Sequence, residues 1–157
     1  MKKINYSLLA FCLFIPLAAG VIGSFFTYPS IKSWYSTLQK PFFNPPDWIF
    51  GPVWTILYAL MGLALYLVIT SQNKINKTAL LFFSFQLILN SFWSILFFGF
   101  RSPLLAMLEI IVLWLMILLT VKSFIKIRTI AGYILFPYLA WVSFAALLNL
   151  SVVLLNP

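Results

Sequence analysis

The chain is expected to fold as an all-α membrane protein, a bundle of five transmembrane helices with a short amphipathic helix in the loop between the first and the second. Three observations predict this. Of 157 residues, 64% are hydrophobic and only 8% charged, which is more apolar surface than one soluble core of that size hides from water. Uncharged apolar runs of about 20 residues recur along the sequence, the length a helix needs to cross roughly 30 Å of hydrocarbon. In lipid, a helix satisfies its backbone donors and acceptors within its own segment, so helices are expected throughout one domain covering residues 1–157.

The spacing predicts spans over about 6–26, 48–69, 78–98, 103–121 and 129–154. Ahead of the first, Lys2 and Lys3, with Ala18 and Ala19 further on, mimic a cleavable signal peptide. The apolar run continues past Gly20 through Phe26, so a retained span is expected. In the following loop Ile31, Trp34, Tyr35 and Leu38 fall at i, i+3, i+4 and i+7, one face of a short surface helix with Ser30 as its N-cap. Next comes Pro41-Phe42-Phe43-Asn44-Pro45-Pro46-Asp47-Trp48, whose prolines forbid a continuous helix before Asp47 or Pro52 opens the second span. This stretch reads either as a stiff lid over one mouth of the bundle or as a connector with interfacial aromatic anchors.

The formal charge of +8 does not point to nucleic acid, because the cations sit in loops between apolar runs rather than in a groove-sized patch. Lys2, Lys3, Lys74, Lys77, Lys122, Lys126 and Arg128 fall on one side, and Lys32, Lys40 and Arg101 on the other. The heavier side is expected to be cytoplasmic, which puts the N-terminus inside and the C-terminus outside. The single cysteine, Cys12, excludes an internal disulfide, and the absence of histidine removes the commonest general base and metal ligand, so no metal site is expected. No internal repeat suggests an inverted-repeat transporter.

Three spans carry aromatic and polar stripes at helical spacing: Phe50, Trp54 and Tyr58; Gln86, Asn90, Trp93 and Phe97; and Tyr138, Trp141, Ala145 and Leu148. An amide such as Asn90 is costly against lipid, so its stripe faces protein or a cavity. The inner indoles Trp54, Trp93 and Trp141 either fill the bundle core or line a pocket for a flat apolar ligand. Glu109 is the single acid inside a span. Without a second carboxylate or a histidine nearby it lacks a partner for acid/base catalysis, and a structural role is expected. Arg101 can meet a ligand carboxylate or a lipid phosphate.

Trp34-Tyr35, Leu38, Lys40-Pro41, Asn44-Pro45-Pro46, Trp48, Pro52-Val53-Trp54 and Leu57-Tyr58 resemble the signature of the TspO/MBR family, the translocator or tryptophan-rich sensory proteins. Asn90 with Trp93, Phe97-Phe98-Gly99 with Arg101, and Pro137-Tyr138-Leu139-Ala140-Trp141 through Phe144-Ala145 to Leu148-Asn149 extend it over nearly the whole chain. The resemblance implies a five-helix bundle, usually a homodimer in a membrane, here a bacterial cell membrane, that binds porphyrins such as protoporphyrin IX. Some members also take sterols and synthetic isoquinoline or benzodiazepine ligands. By matching positions it implies a pocket of Tyr35, Pro45, Phe50, Trp54, Tyr58, Asn90, Trp93, Trp141, Ala145 and Leu148. The sterol pattern at the end of the last span is broken, with Leu150 in place of the aromatic and no cation after it, so sterol is not expected through that motif.

Three functions follow as expectations. The first is a receptor or sensor for tetrapyrrole trafficking or stress, in which a metal-free porphyrin enters beneath the lid and stacks among the indoles. Its propionates would lie toward Lys32, Lys40 or Arg101, and no cofactor is required. The second is light-dependent porphyrin degradation with Trp54 and Trp141 taking part; no conventional catalytic residues are assigned. The third is a ligand-free structural or assembly subunit.

Overall fold

The computed structural model describes residues 4–71 and 76–157, and Lys2, Lys3 and Lys74 of the charge argument lie outside them. In chain order the helices are α1 (Tyr6–Ile31), α2 (Asp47–Ser71), α3 (Lys77–Ser94) continued by a π-helical turn (Ile95–Gly99), α4 (Pro103–Ile127), α5 (Thr129–Tyr133) and α6 (Phe136–Leu155). Five units are long and apolar enough to cross a membrane, the last being Thr129–Leu155.

Three helix starts are capped by a side chain. Asn5 caps α1, its side chain accepting from Leu8 N–H at 3.0 Å, and Asn76 does the same for α3 with Ala79 N–H at 3.0 Å. Ser102 accepts from Leu105 N–H at 3.4 Å, followed by Pro103 in the first turn of α4, where a missing donor costs nothing. The last span is broken at Ile134 and Leu135, just ahead of Pro137, which has no N–H to continue the ladder.

The first span is longer than its apolar run. It continues to Ile31 through Pro29, with hydroxyls bonding inward: Thr27 to Gly23 O and Ser30 to Phe98 O, at 3.1 and 3.0 Å. Ser30, expected as an N-cap, is therefore buried in the last turn of α1, and the expected loop helix is a single 3₁₀ turn, Tyr35–Thr37. The fourth span likewise runs past Val121 to Ile127, because Lys122 and Lys126 extend from the end of a helix that remains apolar on its other faces.

Around the bundle α1 packs on α2 and α3, α3 on α4, and α4 on α5 and α6, while α2 meets the last span chiefly at α5. The closest approach is between α1 and α2. Pro16 leaves the Cys12 carbonyl without its helical donor, and Gly62 comes so near that a Cβ there would lie 2.8 Å from that oxygen and 2.7 Å from Leu13 Cα. Hydrogen bonds tie the remaining seams: Ser91 Oγ to Ala19 O at 2.9 Å, Trp114 Nε1 to Ser143 Oγ at 2.8 Å and Asn149 Nδ2 to Pro103 O at 2.8 Å. Because α2 and α6 do not pack along their length, space is left between them and the other helices toward the loop of residues 32–46, hereafter the lid end.

Candidate functional site

That space is a cavity of about 520 Å³, within the range of ligand pockets and lined mainly by apolar side chains. The aromatic stripes converge on it. From α2 come Phe50, Trp54 and Tyr58, from α3 Asn90 and Trp93, from α6 Trp141, Ala145 and Leu148, and from the lid Tyr35. Trp54 and Tyr58, one turn apart, stack at 5.5 Å, and Trp93 stacks on Phe97 at 5.0 Å. Phe50 meets Trp141 edge-on at 6.0 Å, joining α2 to α6 where their backbones diverge.

A continuous polar chain crosses one side of the cavity. Tyr58 O–H donates to Asn90 Oδ1 at 2.7 Å, Asn90 Nδ2 donates to Tyr138 Oη at 3.2 Å, and Tyr138 O–H donates to Gln86 Oε1 at 2.8 Å. Trp93 Nε1 donates to Asn149 Oδ1 at 3.1 Å. The polar groups of this chain thus satisfy one another and leave ring faces for a guest. Among the described residues, buried side-chain atoms without a partner are confined to Trp141 Nε1 and the two carboxyl oxygens of Glu109. Glu109 is buried, does not line the cavity and bonds no neighbouring helix.

The lid is fastened at several points. Tyr35 is buried edge-on against Phe97 and Phe98, and its hydroxyl donates to Asn44 Oδ1 at 3.1 Å. Burial, with the Asp47 carboxylate adding to it and the Asn44 bond opposing, pushes the Tyr35 phenol up to about 12. Gln39 N–H donates to Asn156 Oδ1 and Asn156 Nδ2 donates back to Gln39 O, both at 3.0 Å, so the end of α6 holds the lid by its backbone.

Of the residues expected in the pocket or at its rim, four do not line the cavity, Pro45, Lys32, Lys40 and Arg101, and neither do the stripe residues Gln86 and Tyr138. Lys40 instead places Nζ 4.3 Å over the Tyr35 ring, and Arg101 is exposed in the turn after the π segment with φ 53°, a left-handed conformation uncommon for a side chain other than glycine. Other lining residues lay outside the three aromatic stripes. Leu17, Gly20, Val21, Ser24, Tyr28 and Ile31 give a whole wall of α1, at a three-to-four spacing that mixes aliphatic, small and hydroxyl residues. Asp47 and Trp48 stand at the lid end of that wall. Phe98 joins Phe97 because the wide π turn buries Leu96, Phe97 and Phe98 in succession, which a 3.6-residue period does not allow.

The sequence profile of the TspO/MBR family matches residues 12–155. The chain is 48% identical to the tryptophan-rich protein TspO of Chlorobaculum tepidum, over 95% of this chain and 96% of that one. It is 39% identical to the tryptophan-rich sensory protein of Cereibacter sphaeroides (78% and 77% covered) and 34% identical to the human translocator protein (87% and 83%).

Proposed function

We propose a function from one premise: this chain belongs to the TspO/MBR family. It is a multi-pass integral membrane protein, and it acts as a membrane receptor or sensor whose ligand is a flat tetrapyrrole of the protoporphyrin IX kind, held for trafficking or stress regulation. The observation that carries the reading is the convergence of three indoles from three separate helices on one cavity, where Tyr58, Asn90 and Trp93 already have hydrogen-bond partners and Trp141 Nε1 has none. Trp54, Trp93 and Trp141 offer ring faces to a macrocycle, and a chain without histidine favours one free of metal. The propionates are directed to the rim cations Lys32, Lys40 and Arg101 and away from the Asp47 carboxylate at the mouth. Of the described cations, Lys77, Lys122, Lys126 and Arg128 cluster at the opposite end, which supports a cytoplasmic N-terminus and an outer lid in a bacterial cell membrane. The chain works as a homodimer.

Titration of the purified protein with protoporphyrin IX tests this. Trp54→Phe and Trp141→Phe are each expected to raise Kd by about 3- to 10-fold, the share of ring stacking. Unchanged affinity in both variants refutes the pocket as the porphyrin site.

A further inference from the structure

We infer that the cavity is filled sideways, from the bilayer leaflet on the lid side, through a slot between α1 and α2 of which Gly51 forms the sill. The porphyrin reading supplies the identity of what passes; the slot itself stands on the geometry. Helices α1 and α2 are pressed together where Gly62 meets Cys12 and Leu13 and where Gly20 meets the Tyr58 ring, and closer to the lid both line the cavity. There, residues of both helices line the cavity while also facing outward: Val21 is 55% exposed, Trp48 73% and Tyr28 80%. A wall residue does both only where the wall is open.

Gly51 points the same way independently. It lines the cavity, it is exposed, and a Cβ built on it meets nothing within 4 Å, whereas a Cβ on any of the other five glycines would touch a neighbour. Two other approaches are obstructed. Above, the lid is clamped by the paired Gln39–Asn156 hydrogen bonds. On the α2–α6 side, Phe50 closes on Trp141 at 6.0 Å and Phe43 on Phe144 at 6.3 Å.

A slot between two helices is long and narrow, so it passes a plate edge-on, and its flanks are uncharged apart from Asp47 at the lid end. The ligand class that fits is a planar amphiphile already dissolved in the membrane, its apolar edge leading and its acids trailing among the head groups. This route differs from passage beneath the lid, which the fastened Gln39 and Asn156 obstruct.

Protein in lipid vesicles, mixed with protoporphyrin IX and followed by indole quenching, gives both rate constants. Gly51→Leu places a side chain in open space and replaces glycine by a better helix former, so the fold is retained. It is expected to slow association and dissociation together, on the order of tenfold, with Kd little changed, while Asn156→Ala leaves both rates alone. Faster exchange in Asn156→Ala with no effect of Gly51→Leu overturns the inference, as does a change in Kd at an unchanged on-rate. Absence of saturable binding by the unmodified chain sinks the porphyrin reading instead. The slot is then read without porphyrin, by an N-alkyl maleimide dissolved in the vesicles reacting with Ala145→Cys in a Cys12→Ala background. Gly51→Leu is expected to slow that labelling on the order of tenfold and Asn156→Ala not at all; equal labelling in all three overturns the inference.

Discussion

Asn90 is the residue on which the polar chain turns, accepting from Tyr58 of α2 and donating to Tyr138 of α6. Asn90→Ala leaves two phenols short of a partner in a dry interior. Thermal unfolding in detergent is expected to show a loss of about 1–2 kcal/mol, against little for a lipid-facing change such as Ile88→Ala. Tyr35 gives a pH prediction outside the spans. Its phenol ionises at about 12 in the folded chain and at 10.0 ordinarily, so the folded state keeps its proton longer and loses stability as pH rises from about 10 to 12. Below that window the contribution is constant. The melting temperature of Tyr35→Phe is therefore expected to fall less steeply across that window than the parent's. Asn90 was legible in the sequence because an amide is costly against lipid, whereas the spacing of Trp54 and Trp141 left core filling and pocket lining open and the family resemblance implied the pocket. Phe98 and Asp47 were not, because one depends on a π turn and the other on where α2 begins relative to the wall of α1.

At the scale of elements, the contact of α1 with α2 is set by a proline and a glycine 46 positions apart in the chain, neither informative alone. Pro16 strips the Cys12 carbonyl of its donor, and Gly62 lets the backbones close on it. Gly62→Ala forces a Cβ against Leu13 Cα and Cys12 O, and is expected to cost about 1–3 kcal/mol in thermal or denaturant unfolding, although alanine is the better helix former. A variant as stable as the parent would mean the helices separate freely. Span positions were legible from apolar runs alone, but their ends were not. Hydroxyls carried α1 on to Ile31, and Pro137 split the last span after Tyr133. Sequence hydropathy registers what lipid accepts, whereas a helix ends where its backbone runs out of partners.

At the scale of the whole molecule, the exterior is apolar along every span, the lid end carries a stiff and fastened loop, and the aromatic-lined cavity sits beneath it. The central claim is that this cavity, and no outer surface, holds the porphyrin. Indole-fluorescence titration with protoporphyrin IX of two phenylalanine variants on α6 tests it most directly. Ala145→Phe fills the cavity, whereas Leu147→Phe adds the same ring on the exposed face of the same helix. With both variants folded as judged by their melting transitions, saturable quenching is expected to vanish in Ala145→Phe and to persist in Leu147→Phe. Saturable quenching of equal midpoint in both would place the porphyrin elsewhere and contradict the account.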